Sequence, residues 1–228
     1  MEILRDIPLE IDREALARRI HHDPSRPGAV DLDELVAQAG GLIRLRAVYE
    51  VAFTGAKGEE TVEVGGVEFR SRVLRRNLDQ AHKVFPFIIS AGPDLEAAAS
   101  GSGDLLRQYY LEETANAALE SAAGWLSGHL KARYGFGGLA AMDPGSLEDW
   151  PITEQPKLFS LFGDTERLIG VRLTDSCLMI PRKSISGIFF PSDEGFSSCE
   201  LCDRVSCPGR KIPYDRAKAA AYVSGRKA

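Results

Sequence analysis

The pattern of hydrophobic and polar positions divides the chain into helical and extended segments. Apolar residues at helical spacing predict helices over residues 11–20 and 32–39 and a long, largely buried helix over residues 104–133. Asp31, followed three residues later by Glu34, is a capping-box arrangement at the start of the second helix. The long helix contains no proline, and we expect it to be the spine of the fold.

Extended segments are predicted where β-branched and aromatic residues alternate with polar ones. They cover residues 42–53, 61–69, 85–92, 169–173, 177–180 and 185–191. Further helices are predicted at 153–163 and 214–223. Because the chain shows no internal repeat and no long linker, we assign it to the α+β class. The α+β domain is placed at residues 1–196, with a helical N-terminal part at 1–40, and a Cys-rich loop and C-terminal helix follow at 197–228.

Length and charge limit the classes of function. With 228 residues the chain can bury a core without disulfides, and its net charge of −5 supplies no field that would capture a nucleic-acid backbone. No apolar run approaches the roughly 18 residues that a membrane helix requires. The first residues lack the basic and apolar regions of a secretory signal. We therefore expect a cytoplasmic protein with reduced thiols, and neither nucleic acid nor a membrane as a partner.

Three of the four cysteines are concentrated in the C-terminal segment. Cys199, Cys202 and Cys207 follow the spacing C-x2-C-x4-C, which allows the sulfurs to grip one metal, and they are the predicted metal ligands. Cys177 or solvent would fill a fourth position. Zinc and an iron–sulfur cluster both remain open, because each accepts a shell dominated by thiolates. The alternative is that the three are reduced cysteines of an ordinary tail.

Two polar turns carry the candidate ligand-binding residues. The Pro144–Gly145 turn exposes backbone N–H and C=O groups, and glycine lets a ligand approach closely. The triplet Thr174-Asp175-Ser176, with Ser184 and Ser186 after it, places hydroxyls and one carboxylate near strand ends, where they can orient a polar ligand. The same three residues are also compatible with a turn whose side chains bond the backbone and simply connect two strands.

The sequence that contains the second turn resembles a known family. Residues 169–187 read I-G-V-R-L-T-D-S-C-L-M-I-P-R-K-S-I-S-G, and the activation domain of cobalamin-dependent methionine synthase has I-G-x-x-L-T-E-S-x-x-M-x-P-x-x-S-V-S-G at this point. The stretch Asp143-Pro144-Gly145-Ser146 corresponds to the R-x-x-P-G-Y loop of that family, where S-adenosylmethionine is held. The chain is therefore similar to free-standing forms of the activation domain.

The resemblance has implications for fold, ligand and partner. It implies a twisted antiparallel sheet with flanking helices, which agrees with the α+β class. It implies that S-adenosylmethionine binds at residues 143–146, with the 174–176 turn nearby. It also implies docking on a cobalamin carrier, so that an inactive cob(II)alamin is remethylated after reduction by one electron.

Two positions of the binding loop depart from the family pattern. The family's arginine falls at Ala141 and its tyrosine falls at Ser146. A guanidinium is the natural partner for the carboxylate of the methionine moiety, whereas alanine offers neither charge nor donor. Ala141 is kept among the cofactor-binding positions because it occupies the place of that arginine.

These observations lead to two hypotheses. In the first, the chain is a reactivation factor that positions S-adenosylmethionine for the reductive methylation of cob(II)alamin. The cobalamin is presented by a corrinoid carrier, or by a methionine synthase lacking its own activation domain, and an electron donor is required. No catalytic residue is assigned, because the sulfonium and the corrin carry the chemistry. In the second, the chain is a metal- or iron–sulfur-binding interaction module that has kept the fold and lost S-adenosylmethionine binding.

Overall fold

The computed structural model of the chain describes residues 1–25, 29–207 and 209–224. Its helices are α1 (Arg13–Arg19), α2 (Leu32–Leu42), α3 (Arg72–Asn77), α4 (Asp94–Gly101), α5 (Leu105–Tyr134), α6 (Gln155–Ser160), α7 (Thr165–Ile169), α8 (Ser198–Leu201) and α9 (Arg216–Ser224). Its strands are β1 (Glu2–Leu4), β2 (Arg46–Tyr49), β3 (Ala52–Lys57), β4 (Thr61–Val64), β5 (Val67–Arg70), β6 (Lys83–Ser90), β7 (Leu139–Met142), β8 (Arg172–Leu173), β9 (Met179–Ile180) and β10 (Ser184–Pro191).

Eight of the described strands form one sheet, and every pairing in it is antiparallel. Strand β6 lies at the centre: one edge pairs with β10, and the other edge pairs with β3 and then with β2. Strand β7 lies outside β10, β1 lies outside β2, and the β4–β5 hairpin lies outside β3. Strands β8 and β9 form a separate hairpin. The predicted α+β class, with an antiparallel sheet and flanking helices, is confirmed.

A proline inside β6 explains why one edge of this strand has two partners. Pro86 has no N–H group, so a central strand tolerates it only where no ladder bond is needed. Its C=O accepts a hydrogen bond of 3.0 Å from the N–H of Glu50, at the point where β2 has ended and β3 has not begun. The single strand predicted over residues 42–53 is therefore divided into two.

Helix α5 covers one face of the sheet and confirms the predicted spine of the fold. The Asp104 carboxylate caps its first turn by accepting from the N–H groups of Leu106 and Arg107, and Gly135, with a φ of 73°, ends it. Although α5 has 30 residues, no helix in the described part of the chain combines the length and apolar character of a membrane span. The buried residues of α5, which pack on the sheet and on neighbouring helices, are Leu111, Ala115, Ala118, Leu119, Ala122, Leu126 and Leu130.

The opposite face of the sheet is covered by α3, by α6 and by the C-terminal tail. Trp150 is fully buried here and packs edge-on against Phe69, with ring centroids 6.0 Å apart. Helix α9 of the tail reaches the same region, where the hydroxyl of Tyr222 donates to Oδ1 of Asn77 at 2.9 Å. The tail is thus packed against the α+β body.

One predicted strand is partly helical. The prediction of a strand over residues 169–173 is wrong for Ile169, which is the last residue of α7. The Asp164 carboxylate caps this helix by accepting from the N–H of Arg167, and Gly170 ends it with a φ of 77°. Within that range β8 is only two residues long, and it pairs with β9.

Close packing around Gly187 in β10 gives a testable prediction. A Cβ at this position would lie 2.7 Å from the C=O oxygen of Met142 and 3.1 Å from Cε1 of Phe87, and it would overlap the carboxylate of Asp143. Gly187→Ala is therefore expected to lower the free energy of unfolding by about 1 to 3 kcal/mol, the usual cost of overpacking. Urea denaturation measures the change.

The matched control is Gly128→Ala in α5. Gly128 is exposed, and a Cβ there would meet no atom within 4 Å. Alanine is the better helix former, so this variant is expected to be more stable than the wild type by up to about 1 kcal/mol. Equal stability of Gly187→Ala and the wild type would contradict the close packing at β10.

Candidate functional site

A cavity of about 1320 Å³ lies between helix α5, the end of α1 and strands β6, β7 and β10. Phe87 and Phe189 line it from the sheet, with their rings stacked at a centroid distance of 4.3 Å. Ala123 and Gly124 line it from α5, where their small size leaves space between the helix and the sheet. The cavity therefore has an apolar surface on the side of the sheet and polar groups at its rim.

Four of the predicted site residues line this cavity together: Ala141, Asp143, Pro144 and Ser146. The pairing of β7 with β10 brings them there, because it sets Ala141 opposite Phe189 and the loop begins one residue after β7 ends. Gly145 makes the turn rather than the lining, with a φ of 86°. The structure thus brings four of the predicted cofactor-binding residues to one cavity, and their binding of a cofactor stays a prediction.

The loop is held in place by its own hydrogen bonds and by a buried tryptophan. The N–H of Gly145 donates to the C=O of Trp150 at 2.7 Å, and the hydroxyl of Ser146 donates to the C=O of Asp143 at 2.7 Å. Because Trp150 is fully buried, its backbone gives the turn a fixed anchor. A Cβ on Gly145 would lie 3.1 Å from Cδ1 of Ile152. Both this close contact and the positive φ therefore favour glycine at the turn.

Asp143 is the unusual group of the site. Its side chain is half-buried in the cavity wall and has no hydrogen-bond partner among the described residues. Burial raises the pKa of its carboxyl to about 6, while the positive charge of Lys211 acts in the opposite direction. A carboxylate without a partner in such a place is suited to receive a positively charged or N–H-bearing group of a ligand.

Both signs of charge are present at the rim of the cavity. Arg19 of α1 hydrogen-bonds Glu120 of α5 at 2.9 Å and pairs with Glu113 at 3.3 Å. Lys211 of the tail lines the cavity as well, with its Nζ 3.7 Å from Oε1 of Glu120. A ligand entering here meets anchored carboxylates on α5 and cations from two other parts of the chain.

Sequence reasoning missed several polar residues of the cavity, among them two glutamates and a glutamine. Glu113 and Glu120 lie seven residues apart on α5, and this spacing, which returns to the same face after two turns, was a usable signal. Gln155 was not detectable, since a glutamine in a first helical turn has no distinguishing pattern. Only 2% of Gln155 is exposed, it lines the cavity, and its amide has no hydrogen-bond partner among the described residues.

Thr174, Asp175 and Ser176 are not brought to the cavity. They lie in the turn between β8 and β9, where Asp175 and Ser176 are exposed. Oγ1 of Thr174 accepts from the N–H of Leu178 at 3.1 Å and lies 3.0 Å from Oγ of Ser176. The arrangement is that of a turn whose side chains bond the local backbone, which is the alternative left open by the sequence.

The three tail cysteines are not arranged as a metal shell. In residues 1–25, 29–207 and 209–224, no group of three or more His, Cys, Asp or Glu side chains is placed to hold a metal ion. The prediction that Cys199, Cys202 and Cys207 share one metal therefore does not fit the donor positions. Cys177, one candidate for the fourth ligand position, lies in the β8–β9 turn.

An arginine organises the tail loop instead. The guanidinium of Arg210 donates to the C=O groups of Cys199 and Cys202, each at 3.0 Å, and to that of Arg204. The side chain of Arg210 thus cross-links the backbone of the loop in which a metal site was predicted. A hydrogen bond from the N–H of Lys211 to the Cys199 sulfur, opposed by burial, lowers the pKa of that thiol, and Arg210 adds to the lowering.

The raised pKa of Asp143 predicts how the stability of the protein depends on pH. Because ionisation of this buried carboxyl opposes folding, Asp143→Asn is expected to raise the free energy of unfolding at pH 7.5. A rise from 3.8 to about 6, at roughly 1.4 kcal/mol per pKa unit, sets an upper limit of about 3 kcal/mol. The gain should shrink as the pH falls from 6 towards 4, where the carboxyl is protonated in the folded protein. Urea denaturation at a series of pH values measures it.

Asp149→Asn is the matched control, with the opposite sign. Burial acts to raise the pKa of Asp149, but hydrogen bonds from Ser71, Val73 and Arg72 lower it below its ordinary value. Its charged form therefore stabilises the fold above its ordinary pKa, and the substitution should destabilise the protein at pH 7.5. An Asp143→Asn variant that is no more stable than the wild type at pH 7.5 would show that this carboxyl is not buried as described.

Comparison with known proteins identifies the relatives of this arrangement. Residues 145–197 match the family model described as "Vitamin B12 dependent methionine synthase, activation domain". Among solved structures, the chain is similar to one titled "Crystal Structure of the MetH Reactivation Domain bound to AdoHcy", with a TM-score of 0.55 and 15% sequence identity. That similarity covers 100% of this chain and 87% of the other. Among curated proteins, none matches the chain.

The two findings cover different parts of the resemblance. The family model begins at Gly145 of the Pro-Gly turn and includes the 169–187 motif, and the structural similarity covers the fold from end to end. The predicted resemblance is therefore confirmed: this chain has the fold of the activation domain of cobalamin-dependent methionine synthase, and its segment 145–197 matches that family.

Proposed function

We propose that this protein is a reactivation factor for a cobalamin-dependent methyltransferase, and that it positions S-adenosylmethionine for the reductive methylation of cob(II)alamin on a separate corrinoid carrier. The observation that carries the proposal is the Pro144–Gly145 loop, which lines the large cavity and leads into the segment that matches the family model. The similar solved structure is bound to AdoHcy, the compound that S-adenosylmethionine becomes when its methyl group has been transferred.

The size of the cavity supports a ligand of this class. Pockets for small molecules and cofactors commonly measure roughly 300 to 1,000 Å³. At about 1320 Å³, the cavity has space for a nucleoside with an amino-acid side arm and for part of a second group. The remaining space is where we place the face of the corrin, which must reach the methyl group from outside the chain.

The polar groups of the cavity complement the charges of S-adenosylmethionine. The ligand carries a sulfonium, an ammonium and a carboxylate, and the Asp143 carboxylate is available to the positive groups because no described residue bonds it. The buried amide of Gln155 offers a donor and an acceptor to a base or a ribose. The stacked rings of Phe87 and Phe189 offer apolar surface to the flat base.

The proposed reaction needs positioning more than it needs acid–base catalysis. One electron from an external donor reduces the carrier's cob(II)alamin to cob(I)alamin; the reduced cobalt supplies the electron pair for its bond to the methyl carbon, and the S–C bonding pair returns to sulfur, which leaves S-adenosylhomocysteine. No proton moves, so no general base is required. The residues of this chain hold the sulfonium in line and keep water away, and such positioning lowers a barrier substantially.

The proposal requires two partners. One is the corrinoid carrier, or a methionine synthase lacking its own activation domain, which presents the cobalamin. The other is the electron donor. Since the net charge is only −5, docking is expected to depend on shape and local contacts and to be weakly salt-dependent.

Calorimetry with S-adenosylmethionine tests the ligand. We expect saturable binding by the wild type, and tighter binding by Ala141→Arg, because the guanidinium restores a charged partner for the ligand's carboxylate. A charge-assisted hydrogen bond of roughly 1.5 to 3 kcal/mol corresponds to at least about a tenfold fall in Kd.

Ala141→Gln is the control for the size of the new side chain. It adds length and donors without charge, so its Kd is expected to stay within about threefold of the wild-type value. Absence of saturable binding by the wild type at millimolar S-adenosylmethionine would overturn the ligand assignment and favour an interaction module that has kept only the fold.

A reconstitution assay tests the reactivation itself. The protein is mixed with a cob(II)alamin-loaded carrier, a one-electron reductant and S-adenosylmethionine, and the formation of methylcobalamin is followed by its absorption spectrum. We expect formation at least tenfold faster than in the same mixture without the protein, since the site holds donor and acceptor in place. Equal rates with and without the protein would remove the reactivation role.

A further inference from the structure

The loop lacks the charged group that the carboxylate of an amino-acid ligand requires. Ala141 lines the cavity but has no polar side-chain atom, and the hydroxyl of Ser146 already donates to the C=O of Asp143. A carboxylate brought into a partly buried site without a cation or donors would pay a large desolvation cost. If the ligand is an α-amino acid derivative, its carboxylate must therefore meet a cation from another part of the chain.

The C-terminal tail reaches the cavity directly beside this loop. Oγ of Ser146 lies 3.3 Å from Oγ of Ser198, and Gly209 and Lys211 are both part of the cavity lining. The guanidinium of the neighbouring Arg210 holds the segment in place, because it donates to the C=O groups of Cys199 and Cys202, each at 3.0 Å. Lys211 is thus presented to the cavity by a fixed backbone.

Arg18, Arg19 and Lys211 line the cavity, and Lys211 is the one that belongs to the tail segment beside the 143–146 loop. The guanidinium of Arg19 already hydrogen-bonds Glu120 at 2.9 Å, whereas that of Arg18 lies 3.8 Å from Glu14 on its own helix. Lys211 is 3.7 Å from Glu120, which is an ion pair but too long for a hydrogen bond. Its ammonium therefore keeps donors for a ligand.

Lys211 also acts on the loop itself. Lys211 and Asp143 both line the cavity, and the positive charge of Lys211 opposes the burial that raises the pKa of Asp143. An ammonium and a carboxylate of the protein in one cavity are the complement of a zwitterion. The α-ammonium and α-carboxylate of an amino acid carry the same two charges on one carbon.

We propose that Lys211 binds the carboxylate of the ligand's amino-acid moiety, in place of the arginine that is absent at Ala141, while Asp143 binds the adjacent ammonium. This assignment rests on the proposed function, because it takes S-adenosylmethionine as the ligand. It makes the C-terminal tail a wall of the binding site, rather than a metal-binding appendage. The tail loop then contributes to affinity, and its place in the sequence, far from the 143–146 loop, explains why no local motif marks it.

The test compares two ligands and four proteins by calorimetry. The ligands are S-adenosylmethionine and its decarboxylated analogue, and the proteins are the wild type, Lys211→Gln, Lys211→Arg and Lys218→Gln. Lys211→Gln is expected to raise the Kd for S-adenosylmethionine about tenfold and to leave the Kd for the analogue within about twofold, because only the first ligand has the carboxylate. Lys211→Arg should stay within about threefold of the wild type for both.

Lys218→Gln is the matched control. Lys218 lies in α9 of the same tail, pairs with Glu200 at 2.7 Å and does not line the cavity. It is expected to bind both ligands as the wild type does. Lys218→Gln and Lys211→Gln with equal losses, or a Lys211→Gln loss that is the same for both ligands, would overturn the assignment of Lys211.

The failure of this proposal and the failure of the proposed function give different results. If the wild type binds S-adenosylmethionine and Lys211→Gln binds it equally well, only the role of Lys211 is overturned. If the wild type shows no saturable binding of S-adenosylmethionine, the proposed ligand is wrong and the assignment of Lys211 falls with it.

Discussion

The antiparallel pairing of β10 between β6 and β7 is the constraint on which the candidate site depends. Its register is pinned at one end by a hydrogen bond of 3.0 Å between the hydroxyls of Ser184 and Ser90, and it sets Phe189 opposite both Phe85 and Ala141. A shift by one residue would turn every side chain of β10 to the other face of the sheet. Phe189 would then leave the cavity and lose its stacking on Phe87, and the loop after β7 would lose its place beside these rings.

Two polar side chains of the candidate site lack hydrogen-bond partners. Asp143 and Gln155 both line the cavity and have no hydrogen-bond partner among the described residues. Burying such groups opposes folding, and proteins tolerate this mainly where a ligand supplies the missing partners. Gly187 serves the same site, because the absence of a side chain there leaves space for the carboxylate of Asp143. The unpartnered polar groups therefore lower the stability of the fold, and burial of the large apolar core between α5 and the sheet compensates for this loss.

The sequence was most informative where local patterns decide structure. Periodicity and a proline-free run predicted α5, and the Pro-Gly turn predicted a loop that does line the cavity. In the tail, C-x2-C-x4-C spacing reports only what three thiols can reach; the described residues hold no group of three metal ligands, and the observed loop is tied by the guanidinium of Arg210. The 174–176 turn, Gln155 and Lys211 depended on tertiary placement, which one sequence does not display. Structure that depends on one segment could be predicted from the sequence, whereas contacts between distant segments could not.

The central claim is that the space between α5 and the β7–β10 edge is the ligand site of this chain. A crystal structure of the protein with S-adenosylhomocysteine tests it most directly, because this product is chemically stable and retains the amino-acid moiety. The account predicts that the ligand lies along residues 143–146, with its amino-acid end between Asp143 and Lys211 and its base near Phe87 and Phe189. A ligand bound at the 174–176 turn, or a cavity that stays empty at saturating ligand, would contradict the account.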